Sequence, residues 1–75
     1  MTPDEQKAAL IFSEIMKSTR IKNKWTQVET AKVLGISQSA LSKFESGLLI
    51  PSIHQWVEFC SNFNISIDCA YNLRK

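Results

Sequence analysis

Polar side chains that donate and accept hydrogen bonds recur within a predicted helix near the middle of the chain. Gln38 and Ser39 open this helix, and Ser42 and Lys43 follow one turn later. Residues four positions apart share a helix face, so all four side chains are predicted on one exposed surface. An amide, hydroxyls and an ammonium group can read the edges of bases in a DNA major groove. Contact with double-stranded DNA is therefore the chemistry that this surface predicts.

The surrounding sequence predicts a helix, a tight turn and a second helix. Residues 27–34 form the first of these, and Gly35 can adopt the positive φ that ends a helix abruptly. Ser37 caps the second helix, which runs over about residues 38–46 and is terminated by Gly47. Ala31 is small where the two helices must cross, and Leu41 points back toward the core. This arrangement is typical of a helix-turn-helix.

Capping residues predict three more helices, which makes the chain all-α with five helices. Thr2 and Glu5 form a capping box that begins the first helix, and this helix runs to about residue 22. Ser52 begins the fourth helix, and Ser66 begins a short fifth one that ends at about Leu73. The fourth helix carries apolar residues at the spacing of a buried stripe: Ile53, Trp56, Val57, Cys60 and Phe63.

Length and charge limit the class of protein. The 75 residues predict one small domain, residues 1–75, whose single core leaves little room for the deep pocket of an enzyme. The net charge of +2 is only mildly basic. A local excess of positive charge, usually no more than a solvated face, gives modest support for phosphate contact. It consists of Lys17, Arg20, Lys22 and Lys24.

Metal, cofactor, membrane and catalytic roles find no support in the sequence. Cys60 and Cys69 are spaced for neither a redox pair nor a zinc site, so we expect reduced thiols, no metal and no cofactor. There is no signal peptide or apolar run that would span a membrane, which predicts a soluble cytoplasmic protein with no membrane partner. The single histidine, His54, has no nucleophile or metal ligands beside it, so an enzyme is rejected.

Residues from about Phe12 to Tyr71 resemble the Cro/phage-repressor helix-turn-helix family, often called the XRE type. The residues that carry the resemblance are Arg20, Thr26-Gln27, Ala31, Leu34-Gly35-Ile36-Ser37, Leu41-Ser42, Glu45, Gly47, Pro51 and Ile65-Ser66-Ile67-Asp68. The resemblance implies a compact five-helix domain like that of lambda repressor. The helix over about residues 38–46 would then enter the major groove, while the preceding helix crosses the DNA backbone.

The resemblance also implies roles for single side chains. Gln38 would contact adenine, and Ser39 would act as donor or acceptor to a base edge. Lys43 would reach either a guanine or a phosphate, and Ser42 would contact a phosphate or pack between helices. These four residues are the predicted base-reading set.

Phosphate contacts and one ion pair complete the implied site. Polar or basic side chains around the two motif helices would contact the DNA backbone: Lys24, Thr26, Gln27, Ser37 and Ser46. Gln27 would also brace Gln38. Arg20 and Glu45 would form a structural ion pair between the first and third helices, and removing one partner would be costly.

An apolar loop, Leu48-Leu49-Ile50, follows the third helix where many members of the family carry basic residues. Either Ile50 folds into the core and single leucines stay exposed, or the loop forms a dimer seam near the two-fold axis of an operator. The predicted surface for a weak homodimer or for another protein consists of Leu48, Leu49, Ile50, Tyr71 and Leu73.

Two functions follow from these expectations. The favoured one is a dimeric, sequence-specific transcriptional regulator, a repressor or an activator, with repression of a (pseudo)palindromic operator as the preferred form. The alternative is a DNA-binding antitoxin or accessory subunit whose main partner is another protein. Extra apolar surface favours the alternative, at Val28 and Val33, where the family is usually charged, and at Leu48 and Leu49.

Overall fold

The computed structural model describes residues 2–66, which contain four α-helices and no strand. The helices are α1 (Pro3–Lys22), α2 (Gln27–Leu34), α3 (Gln38–Glu45) and α4 (Ile53–Phe63). The all-α class is confirmed, and each observed helix begins and ends within a residue of its prediction. The expected count of five helices is not confirmed: residues 2–66 contain four, and the expected fifth lies outside these residues except for Ser66.

Hydroxyl side chains define where the helices begin. Each helix is preceded by a threonine or serine whose side-chain oxygen accepts a backbone N–H from the first turn: Thr2, Thr26, Ser37 and Ser52. At α1, α2 and α4 the third helical residue bonds back to the cap, which completes a capping box. These bonds satisfy N–H groups that lack a partner within the helix. The eight-residue helices α2 and α3 therefore begin at defined positions.

Left-handed residues lie at the ends of all four described helices, and at α1 this residue is Lys24, with a φ of 61°. Gly35 follows α2 with a φ of 69°, and the next residue, Ile36, donates its N–H to the Ala31 carbonyl oxygen at 3.0 Å. Gly47 follows the cap of α3 with a φ of 76°, and Asn64 ends α4 with a φ of 56°. The turn at Gly35 is the one that redirects the chain from α2 into α3.

The core lies where α1, α2, α3 and α4 meet. Leu41 of α3 and Ala31 of α2 are buried in it, as predicted. Aromatic contacts join α1 to α4, with the Phe12 and Trp56 rings in an edge-to-face arrangement at a centroid distance of 4.8 Å. Thr30 is fully buried, and its hydroxyl is satisfied there because it donates to the Thr26 carbonyl oxygen at 2.9 Å.

The buried stripe of α4 differs from its prediction. Ile53 and Val57 were expected inside but are exposed, with 74% and 38% of their surface accessible. Phe59, which the prediction left out, is fully buried and stacks against Trp56 at 5.7 Å. A helix can rotate toward either flank of a shared stripe, and burying a phenylalanine removes more apolar surface from water than burying a valine.

Candidate nucleic-acid interface

The two faces of α3 differ sharply in burial. Leu41, Phe44 and Glu45 face the protein and are buried. Gln38, Ser39 and Lys43 are exposed, and Ser42 is half-buried. The structure therefore brings the base-reading candidates onto one side of α3, with Ser42 at the edge of the exposed surface. A helix of this kind offers polar side chains to a groove while its other side holds it to the core.

Three of the candidate phosphate contacts are hydroxyl side chains, and they differ in whether the hydroxyl proton is still available to donate. The side-chain oxygens of Thr26 and Ser37 accept backbone N–H groups at 3.0 Å from Glu29 and Ala40. Each of these hydroxyls still has its own proton to donate to a phosphate oxygen. Ser46 instead donates to the Ser42 carbonyl oxygen at 2.7 Å, so its one proton is already used.

The fourth candidate, Lys24, lies in the connection between α1 and α2. Its backbone is left-handed, with a φ of 61°, and its side chain is exposed. Lys17 and Lys22 are also exposed, whereas Arg20 of the same basic stretch is half-buried. Positive charge is therefore presented to solvent near the end of α1, beside the first turn of α2.

Arg20 and Glu45 form a two-point ion pair between α1 and α3. Arg20 Nε lies 2.7 Å from Glu45 Oε2, and Arg20 Nη2 lies 3.0 Å from Glu45 Oε1. Arg20 Nη1 also donates to the Trp25 carbonyl oxygen at 2.8 Å. The guanidinium thus ties the end of α1, the following connection and the end of α3 together.

Gln27 joins this pair. Its Nε2 donates to Glu45 Oε1 at 3.2 Å, and the residue is half-buried. The sequence predicted that Gln27 would brace Gln38, so the structure gives the amide a different partner. A glutamine side chain can reach several acceptors from the first turn of a helix, and spacing alone could not distinguish between them.

The apolar loop leaves α3 with its leucines exposed. The Leu48 N–H donates to the Lys43 carbonyl oxygen at 2.9 Å, which closes the end of α3. Leu48 is 63% exposed and Leu49 is 40% exposed, while Ile50 is half-buried. Tyr71 and Leu73, the other expected members of this surface, lie outside the described residues. Other large apolar side chains in solvent include Leu10, Ile21, Val28, Val33 and Ile53.

Residues 2–66 contain no group of three or more histidine, cysteine, aspartate or glutamate side chains that could hold a metal ion. Within the same range, no helix has the length and apolar character needed to cross a membrane.

Two short helices joined at Gly35, with a buried face and a polar face on the second, define a helix-turn-helix protein. The HTH_3 family, described as helix-turn-helix, matches residues 16–68 of the chain. The chain belongs to this family, which is the Cro/C1-type (XRE) class of DNA-binding transcription regulators and is non-enzymatic. The resemblance predicted from the sequence is confirmed.

The fold is similar to that of a solved protein, an HTH_3 family transcriptional regulator from Vibrio cholerae. The TM-score is 0.80 at 19% sequence identity, over 92% of this chain and 39% of the regulator. The chain thus spans well under half of that regulator, and the similarity establishes a shared fold. No curated protein matches the chain in sequence.

Proposed function

We propose that the chain is a sequence-specific transcriptional regulator that inserts α3 into the DNA major groove. The observation that carries the proposal is the division of α3 into a buried anchor and an exposed polar face. Leu41 and Phe44 fix the helix to the core, while Gln38, Ser39 and Lys43 remain in water. Gln38 can pair with adenine through two hydrogen bonds, and Ser39 can donate or accept.

Phosphate contacts would hold α3 in register on the duplex. Thr26 and Ser37 retain hydroxyl protons at the first turns of α2 and α3, where backbone N–H groups also favour an anion. Lys24 adds a charge next to α2. Ser46 would have to give up its bond to the Ser42 carbonyl before it could donate to DNA. We therefore propose that Ser46 contributes least among the backbone contacts. Ser42, which is half-buried, would contribute least among the base-reading residues.

The regulator would act on DNA in the cytoplasm, as a repressor that binds a palindromic operator. The similar Vibrio cholerae protein is a transcriptional regulator, which supports the general role. A helix of eight residues reads only a few base pairs, so a weak homodimer on two half-sites would supply the rest of the specificity. Among the described residues, the exposed leucines of the apolar loop, Leu48 and Leu49, support a dimer interface at this loop.

A second function has one observation in its favour. Val28 and Val33 on α2 are 58% and 43% exposed, and apolar side chains on a helix can receive another protein. In that case the chain would be a DNA-binding antitoxin or accessory subunit. High-affinity, selective operator binding by the purified chain alone favours the regulator. Selectivity that arises only with an added protein favours the accessory role.

Selection of bound duplexes from a random pool tests the proposal and returns the half-site and its spacing. Gln38→Ala should then lower affinity for the selected site by about tenfold or more, because a bidentate base contact contributes roughly 1–3 kcal/mol. Binding to unrelated duplex should change little. Gln6→Ala, at an exposed position of α1, is the control. A pool without any enriched sequence at low salt would contradict the proposal.

A further inference from the structure

Glu45 occupies a position that is unfavourable for an isolated carboxylate. It is the last residue of α3, where the helix dipole is negative, and only 4% of its side chain is exposed. A buried charge of this kind requires donors. Arg20 supplies two of them, and the Gln27 amide supplies the third. Arg20 already balances the charge, and the third donor satisfies a further lone pair while adding a link from Glu45 to α2.

The bond from Gln27 to Glu45 joins the far ends of the helix-turn-helix. Gln27 is the first residue of α2, and Glu45 is the last residue of α3. At their near ends, the same two helices are connected through the turn at Gly35. Two points of attachment restrict the angle between two helices more than one point does. A hydrogen bond to a carboxylate is also stronger than one between neutral groups.

We propose that Gln27 is a positioning residue that sets the orientation of α3 through Glu45. Its contribution to DNA affinity comes through this bond rather than through a contact with phosphate. The predicted effect of Gln27 on DNA affinity rests on the proposed function. Its predicted effect on the stability of α3 does not, because that effect can be measured in the free protein without DNA.

The first measurement is amide hydrogen exchange in the free protein. Gln27→Met keeps a flexible side chain of similar length and removes the donor. We expect the backbone amides of α3, such as that of Leu41, to exchange about tenfold faster in this variant. In the wild type, opening of α3 must break a hydrogen bond to a charged group, and the variant lacks that bond. Amides in α1 and α4 should be unchanged. Gln6→Met makes the same substitution at an exposed position and should leave all four helices unchanged.

The second measurement compares affinity for the selected duplex with affinity for an unrelated one. A positioning residue affects the contacts that α3 makes with bases, so Gln27→Met should weaken selected-site binding several-fold and leave unrelated duplex nearly unaffected. Equal loss on both duplexes with unchanged exchange in α3 would instead identify a phosphate contact and overturn the proposal. Faster exchange in all four helices, or no change in α3, would also overturn it. Failure of the wild-type chain to select any DNA would contradict the proposed function, while the exchange result would still decide the role of Gln27 in the fold.

Discussion

Gly47 lies so close to Leu10 that a Cβ atom on the glycine would be 3.0 Å from Leu10 Cδ2. The same glycine has a φ of 76°, which an L-residue with a side chain rarely adopts. Gly47 therefore ends α3 and allows the chain to pass close over α1. The sequence predicted the first of these roles, and only the structure shows the second.

Alanine at Gly47 and at Gly35 should separate these two effects. Gly35 has a φ of 69°, and a Cβ added to it would meet no atom within 4 Å beyond its chain neighbours, so Gly35→Ala tests backbone strain alone. We expect it to lower the free energy of unfolding by about 1–2 kcal/mol. Gly47→Ala should lose somewhat more, because Leu10 must also move. Urea unfolding followed by circular dichroism measures both values.

An asparagine at Gly35 is the matched control, because asparagine tolerates the left-handed conformation better than alanine. Gly35→Asn should therefore lose less stability than Gly35→Ala. If Gly47→Ala proved no more destabilising than Gly35→Ala, the exposed Leu10 side chain would have moved away without loss.

The capping box of α2 should make stability depend on pH. The pKa of Glu29 is held below its ordinary value of 4.5 because the carboxylate accepts the Thr26 backbone N–H, with a smaller effect from the Thr26 side chain. The folded chain therefore binds a proton less readily than the unfolded chain. The resulting stabilisation is complete well above pH 4.5 and is lost as the pH falls through the folded pKa. Unfolding by urea at pH 7 and at pH 3 measures the loss.

Glu29→Gln should reduce the loss of stability on acidification. A glutamine in this position can still bond back to the cap, as Gln55 does in α4, but it does not titrate. Glu14→Gln removes the same charge from an exposed position inside α1 and controls for net charge. An acid response that is equal in wild type and Glu29→Gln, but altered in Glu14→Gln, would place the effect elsewhere.

Local signals in the sequence were sufficient to locate the helices. Thr26, Ser37 and Ser52 each act within three residues of themselves, so their capping role is readable without knowledge of the fold. Burial on α4 was harder, because Val57 and Phe59 are both apolar and flank the same stripe. Which of them is buried depends on the rotation of α4 against α1 and α2, and that depends on long-range packing.

The site shows the same limit. The exposed positions of Gln38 and Lys43 follow from the period of α3 and the burial of Leu41, so the sequence could place them. The partner of Gln27 depends on where the end of α3 lies relative to the start of α2. That distance is set by the angle at which α2 and α3 cross, and the spacing of residues along the chain does not determine this angle.

Lys43 should contact a phosphate rather than a base. It lies in the last turn of α3 and is exposed, one turn beyond Ser39. Lys43→Ala should therefore weaken binding to the selected and the unrelated duplex alike and reduce the slope of log K against log salt concentration by about 1. Fluorescence anisotropy at several salt concentrations measures both quantities.

Gln38→Ala provides the contrast, since it should alter base preference and leave the slope unchanged. Loss of preference at one base pair in Lys43→Ala, with an unchanged slope, would assign Lys43 to base reading.

Leu49→Lys should separate dimerisation from folding. Leu49 is 40% exposed in the apolar loop, so a lysine there can extend into water without disturbing the core. If two copies of the chain meet at this loop on half-sites about 34 Å apart, two added charges at the seam would repel each other. We expect unchanged helical content, lower operator affinity and a binding curve that splits into two half-site steps. Val33→Lys, at a residue of α2 that is 43% exposed, adds the same charge away from the loop and should keep cooperative binding. Cooperative, unweakened operator binding by Leu49→Lys would place the seam outside the apolar loop, and loss of cooperativity in Val33→Lys would place it on α2.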